Sequence, residues 1–233
     1  MNKIIKQINV LDGGFVRLVE YYGGGDVNIP EAGIIEAARQ STQGSFRGWE
    51  EDEKLLKYLY THKHATPFEF AGMVIEIRAP IFVFREWHRH RTQSYNEMSA
   101  RYAPLPNSNY MPSVDRCMLV GASKQGAAVK GSEILTHEKV LEWLGLLESV
   151  YQHAESVYQC GLSIGIPKEV ARCPVPVGRY SQMRANANLR NWLAFLTLRM
   201  SPEAQWEIRQ YANAVGEIIA ECFPQTWKLF NVK

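Results

Sequence analysis

The sequence predicts an α+β fold, a single domain in which several long helices pack against a few mainly antiparallel strands. Three observations carry this expectation. Residues 15–22 and 72–78 alternate apolar and polar side chains with a period of two, the pattern of half-buried strands. The second half of the chain instead spaces its apolar residues by three and four, as amphipathic helices do. Finally, 233 residues suffice for one large core but are few for two, so residues 1–233 are read as one domain.

The elements follow in chain order. Strand 15–22 ends at Gly23-Gly24-Gly25-Asp26, which lacks both GxGxxG and the P-loop Gly-Lys-Ser/Thr and reads as a turn. Pro30 suits the first turn of a helix reaching Arg39. A second helix spans 49–63, with Glu50, Glu51, Asp52 and Glu53 at its start and His62, Lys63 and His64 at its end, the polarity that its dipole favours. Leu55, Leu56 and Leu59 form its apolar face. Strand 72–78 points Met73, Ile75 and Ile77 to one side, and Pro80 then opens a short helix carrying Phe82, Phe84 and Trp87. Residues 103–131 dissolve into Pro, Asn, Ser and Gly, a long loop of the kind that carries function. Ser132 is placed to cap a helix over 133–162, with Leu141, Leu144, Leu147 and Tyr151 on one stripe and Gly165 and Pro167 ending it. A brief helix over 168–172 precedes an extended stretch to Ala187. Leu189, Trp192, Leu193, Leu196 and Met200 then share one helical face. Ser201-Pro202 reads as the cap and first position of a final helix, whose core face is Tyr211, Val215, Ile218, Ile219 and Cys222.

Lys and Arg number 26 against 24 Asp and Glu, a net charge of +2, too balanced for a general nucleic-acid binder. Any anion site should therefore be local. No run approaches the roughly 18 apolar residues that a membrane span needs, and the N-terminal stretch is too interrupted for a signal peptide, so a cytoplasmic protein is expected. Cys117, Cys160, Cys173 and Cys222 are scattered without a CxxC pair, which points to free thiols and no metal site.

One segment departs from this ordinary background. Residues 89–102 hold Arg89, His90, Arg91 and Arg101 with one acid, Glu97, and no apolar period long enough to bury them as a helix or strand. Arginine forks match phosphate oxygens bidentately, and Ser94, Asn96 and Ser99 add neutral hydrogen-bonding groups. Composition alone leaves two readings open, a nucleotide-anion site and a solvated loop laced with salt bridges.

The order of the residues goes further. Arg89, His90, Arg91, Ser94, Asn96, Glu97, Ser99 and Arg101 fill every fixed position of RHRxxSxNExSxR, and the segment resembles the signature of flavin-dependent thymidylate synthases. The resemblance covers most of the chain. It takes in Ala37-Ala38-Arg39-Gln40-Ser41, His64-Ala65-Thr66-Pro67-Phe68-Glu69, Arg172, Asn188-Leu189-Arg190, Phe195-Leu196-Thr197-Leu198-Arg199 and Ala204-Gln205-Trp206-Glu207-Ile208.

The resemblance implies conversion of dUMP to dTMP without a cysteine nucleophile, with methylenetetrahydrofolate as carbon donor, FAD as hydride carrier and NADPH as reductant. It also implies a homotetramer whose active sites draw on several subunits. Ser99, Arg101 and Arg172 would hold dUMP, Arg89 and Glu97 would lie between dUMP and flavin, and Arg199 would be the catalytic cation at the uracil edge. His90, Arg91, Ser41, Thr66, Glu69, Asn188 and Arg190 would surround FAD. Glu86 falls in the dUMP set where the family often has Gln; a carboxylate there repels phosphate, so pairing with an arginine is expected instead. Phe70 and Ala194 replace polar residues on the flavin side, with Asn191 as a neighbour able to compensate. Two rival readings remain open: Cys173 as a nucleophile toward dUMP, and an oligonucleotide binder using the arginine segment.

Overall fold

A computed structural model describes residues 7–119, 126, 128 and 134–231. Among them, β1 (Gln7–Val10), β2 (Gly14–Tyr22), β3 (Gly72–Pro80), β4 (Ser94–Glu97) and β5 (Tyr180–Asn188) form one antiparallel sheet in the order β1-β2-β3-β5-β4. The helices are α1 (Ala32–Arg39), α2 (Trp49–Thr61), α3 (Ile81–Trp87), α4 (Val114–Met118), α5 (His137–Ser163), α6 (Lys168–Ala171), α7 (Leu189–Arg199), α8 (Trp206–Cys222) and α9 (Pro224–Phe230). The predicted α+β class holds.

The period-two patterning sets the layers. β3 and β5 pair along their whole length, from Gly72 opposite Asn188 to Pro80 opposite Tyr180. This register places Met73, Ile75 and Ile77 beside Ala187, Ala185 and Met183, all buried, and Val16 and Leu18 of β2 continue the same face. Trp192, Phe195 and Leu196 of α7 and Tyr211, Val215 and Ile219 of α8 close the core over it. Buried indoles need a partner for their N–H: Trp192 Nε1 donates to Met73 O at 3.1 Å and Trp87 Nε1 to Gln93 Oε1 at 3.0 Å. At Gly14 a Cβ would fall 1.9 Å from the Tyr211 hydroxyl, so glycine lets that hydroxyl reach across β2 and donate to Arg78 O at 2.8 Å. The opposite sheet face is polar. There Glu76 accepts from Arg17 Nη2 at 2.7 Å and from Gln182, with Arg184 Nε at 3.6 Å.

α5 buries only Val140, Tyr158 and Gly161. It is tethered by the fully buried Arg179, which donates Nη2 to Glu155 Oε2 at 2.6 Å, Nη1 to Pro106 O at 2.9 Å and Nε to Asn109 Oδ1 at 3.0 Å. Along its outer side Trp143, Leu146, Val150 and Val157 are exposed, at the three- and four-residue steps that put side chains on one helix face.

Several expectations are corrected or extended. Residues 94–97 are a strand, paired with β5 from Ser94 opposite Asn186 to Glu97 opposite Met183; sheet pairing, not an apolar period, orders them. Ser201-Pro202 opens only a turn, closed by Ala204 N donating to Ser201 O at 3.0 Å, and α8 starts at Trp206. Leu141 is 51% exposed rather than part of a core stripe, and Leu144, Leu147 and Tyr151 are half-buried. Asp52 serves more than the α2 dipole, because it is buried and accepts from Arg39 Nη2 and from Arg47 N at 2.7 Å. Residues 103–131 are not all loop, since α4 lies among them. Ser132 lies outside the described residues; α5 begins at His137, where Thr136 Oγ1 accepts from Lys139 N at 3.4 Å.

Candidate active site

Three groups of side chains assemble from the segments singled out in the sequence. The first joins the ends of α3 and α7. Trp87, on the last turn of α3, stacks on Phe195 of α7 with centroids 4.5 Å apart, and His90 meets the same phenyl ring edge-on at 4.9 Å. That packing brings Arg199, the last residue of α7, against Glu86 and His90. Arg199 Nη1 donates to Glu86 Oε2, Nη2 to Glu86 O and Nε to His90 Nε2, each at 2.9 Å. A bare Nε2 that accepts this hydrogen bond leaves the neutral imidazole protonated on Nδ1. Burial, helped by the Arg199 charge and opposed by Glu86, lowers the His90 pKa to about 4, so the ring is neutral at pH 7. Behind it, the Tyr95 hydroxyl donates to His90 O at 2.7 Å and fixes the turn.

The second group gathers at α6. Arg101 Nε donates to Glu169 Oε2 at 3.0 Å, Arg172 Nε to Glu169 O at 3.2 Å, and Lys168 Nζ to Tyr102 O at 3.0 Å. Ser99 Oγ accepts from Arg101 N at 3.3 Å. Arg101 thus pairs with the Glu169 carboxylate, while Arg172 and Lys168 are held by the main-chain oxygens of Glu169 and Tyr102. The Arg101–Glu169 side chains are 59% and 53% exposed, so this pair is weak and easily exchanged for a stronger anion. Glu97 sits between the first two groups in sequence and accepts from Ser181 Oγ at 2.7 Å.

The third group lies where a 3-10 turn, Thr66–Phe70, packs between α1 and α7. Glu69 pairs with Arg190. Asn188, the last residue of β5, caps α7 by accepting from Asn191 N at 3.0 Å. Asn191 Nδ2 is committed to Thr92 O at 3.1 Å, so it holds the arginine segment against α7. An open cavity of about 400 Å³ is lined by Ala37, Ala38, Leu59, His64, Ala65, Thr66, Pro67 and Phe70. A smaller one of about 160 Å³ shares Leu59, His64 and Ala65 and adds Arg190 and Lys63. Apolar walls with a few convergent polar groups suit a planar heteroaromatic ring.

Some predicted residues stay apart. Ser41 is exposed on a 3-10 turn after α1, its hydroxyl reaching only Ala38 O at 3.4 Å among the described residues. Arg89 and Arg91 are exposed and make no side-chain hydrogen bond or ion pair among the described residues. None of residues 89–102 lines either cavity. Arg190 and Arg199 bracket α7, nine residues and so about 14 Å apart. Sequence reasoning passed over His64, which lines both cavities, and Lys168 and Glu169. His64 stands in the quoted HxTPFE run without a role, and Lys168 and Glu169 look like ordinary helix-surface charges.

Over most of its length the chain is similar to known proteins. The family model described as thymidylate synthase complementing protein matches residues 17–225. A protein of Thermus thermophilus named flavin-dependent thymidylate synthase is 40% identical over 224 residues, 96% of this chain and 78% of that one. The chain belongs to the flavin-dependent thymidylate synthase family. A relative of the same name from Thermotoga neapolitana is 36% identical over 96% of this chain and 94% of its own. The UMP/dUMP methylase PolB from Streptomyces cacaoi, solved with 5-Br UMP, superposes with a TM-score of 0.80 at 32% identity, covering 96% of both chains. Within this flavin-dependent thymidylate synthase fold, Glu86 is paired with an arginine, as its charge requires. Phe70 is 59% exposed on the larger cavity, and Ala194 is exposed on α7.

Proposed function

We propose that the chain methylates dUMP to dTMP, using methylenetetrahydrofolate as carbon donor, FAD as hydride carrier and NADPH as reductant, in the cytoplasm and without a cysteine nucleophile. The observation that carries this reading is Arg199, a mostly sheltered guanidinium held at the end of α7 directly against the arginine segment. Ser99, Arg101 and Arg172 take the nucleotide phosphate, which displaces Glu169 from Arg101. Arg199 meets the uracil edge and stabilises negative charge at N3 and O4, which makes C5 the nucleophile toward the one-carbon unit. A preorganised donor at developing charge contributes about 3–4 kcal/mol. Glu97 and Arg89 lie between nucleotide and cofactor.

The residues present fit a flavin dinucleotide. The cavity beside Thr66 offers apolar walls to a ring system, and Arg89 and Arg91 keep their donors free for diphosphate oxygens. Thr66, Glu69, His90, Asn188, Arg190 and Ser41 would hold it, and it supplies the hydride that completes the methyl group. Neutral His90, protonated on Nδ1, offers a hydrogen-bond donor without adding charge.

A homotetramer with composite sites fits two features. The arginine segment and the larger cavity do not share lining residues in one chain, and α5 presents Trp143, Leu146, Val150 and Val157 as a bare apolar stripe. The test is an absorbance spectrum after FAD reconstitution together with dUMP-dependent NADPH oxidation and chromatography of dTMP, with UMP as a second substrate. A protein that binds no flavin and forms no dTMP overturns the proposal. Cys173→Ala is expected to keep turnover; a thousandfold loss would restore the cysteine mechanism.

A further inference from the structure

A guanidinium carries five N–H donors. In Arg199 three are committed: Nε to His90 Nε2, one on Nη1 to Glu86 Oε2 and one on Nη2 to Glu86 O. One N–H on each terminal nitrogen is left without a partner among the described residues. Arg199 is therefore gripped rather than blocked. Two of its three anchors come from a single residue, once through the side chain and once through the main chain.

We propose that Glu86 is a positioning residue for Arg199: its carboxylate and its own carbonyl fix the plane of the guanidinium, so that the two uncommitted N–H groups face the pyrimidine edge of the nucleotide. The inference rests on the dUMP reading above. It gives Glu86 a different task from direct nucleotide contact. Oε2 is already an acceptor for Arg199, and a second anion beside a phosphate would be repelled. A glutamine here would offer Nη1 an acceptor oxygen at the same reach as the carboxylate. The grip needs that oxygen; the negative charge is secondary.

The side chain of Glu86 is 41% exposed while that of Arg199 is 15% exposed. Truncating Glu86 therefore leaves a mostly sheltered cation with one anchor fewer and opens little of the core. The His90 contact and the Glu86 carbonyl remain, so Arg199 stays near its place but is free to turn. A loosened group loses rate more than it loses substrate, because alignment matters most at the transition state.

The experiment compares Glu86→Ala, Glu86→Gln and Glu86→Asp in the full-length flavin-reconstituted chain. Melting temperature and flavin content come first, then kcat for dTMP formation and the Kd of dUMP. Glu86→Ala is expected to lower kcat tenfold to a hundredfold with less than a threefold change in Kd. Glu86→Gln should recover kcat to within about fivefold of wild type, in line with an acceptor being what is needed. Glu86→Asp, one methylene short, should behave like Ala. A raised Kd with kcat preserved at saturation would show that Glu86 binds nucleotide itself and would overturn the proposal. Equal losses in Ala and Gln would overturn it too, because charge rather than grip would then matter. A second readout needs no nucleotide: in selectively 15N-arginine-labelled chain, rotation of the Arg199 Nη groups should be hindered in wild type and Gln and freed in Ala. Free rotation in wild type sinks the grip even if dTMP forms. Hindered rotation in a chain that forms no dTMP sinks the dUMP reading alone.

Discussion

Replacing Arg199 by alanine separates the chemistry from the scaffold. The side chain makes three hydrogen bonds, yet its removal orphans little. Glu86 is 41% exposed and regains water, and the Glu86 carbonyl and His90 Nε2 lose one donor each. The cost to folding should be about 1–2 kcal/mol. The cost to the reaction should be larger. If Arg199 supplies about 3–4 kcal/mol to the transition state, kcat for dTMP falls about 150- to 900-fold. Flavin binding and NADPH oxidation should persist, because the cavity beside Thr66 is not lined by Arg199. His90 provides an internal control: the Arg199 charge helps to lower its pKa, so the variant's imidazole should titrate at higher pH, as read by NMR. A variant that keeps flavin and forms dTMP within tenfold of wild type would refute the electrostatic role of Arg199.

His90 also makes stability depend on pH. Its folded pKa of about 4 lies below the ordinary 6.5, so its contribution is present above pH 6.5 and is lost as pH falls toward 4. The shift corresponds to at most about 3.4 kcal/mol, and partial exposure reduces this to about 1–2 kcal/mol; urea midpoints at pH 7.5 and 4.5 should converge in His90→Asn. Asp52→Asn leaves Arg39 without its carboxylate in a buried site and should cost about 3–5 kcal/mol, seen as a large fall in melting temperature; a shift below 2 °C would make the pair dispensable. Leu146→Glu puts a charge on the bare stripe of α5 and should dissociate the assembly in size-exclusion chromatography and abolish turnover, whereas an active, unchanged oligomer would place the interface elsewhere.

How much of this was legible depended on the kind of signal each residue carried. The β2 and β3 strands and the cores of α7 and α8 announced themselves through periodicity, because burial on one face leaves a period in the chain. β1 spans only Gln7–Val10 and β4 only Ser94–Glu97, too few residues for a period to form, and each exists because a longer neighbour pairs with it. At Ser201 the local cap pattern closes only a turn, Ala204 N donating to Ser201 O, and the helix begins at Trp206. Motif order nominated candidate residues for the site, but not their partners. Arg199 with Glu86, 113 positions away, and Arg101 with Glu169, 68 away, are products of tertiary packing. Only the Glu86 pairing had a trace in the sequence, an acid where phosphate chemistry would not tolerate one.

The passage from β5 to α7 carries a last implication. Asn188 ends the strand and caps the helix, so no loop lies between them. The same continuous stretch pins Glu97 through Ser181 at one end and delivers Arg199 at the other. There is no slack to absorb an added residue. One insertion within the strand would turn the side chains beyond it to the wrong face, upset the cap, and offset Arg199 by one residue, about 100° around the helix. Length in this region is thus inherited as a single quantity: residues may be exchanged along it, but lineages that keep the reaction should not lengthen or shorten it.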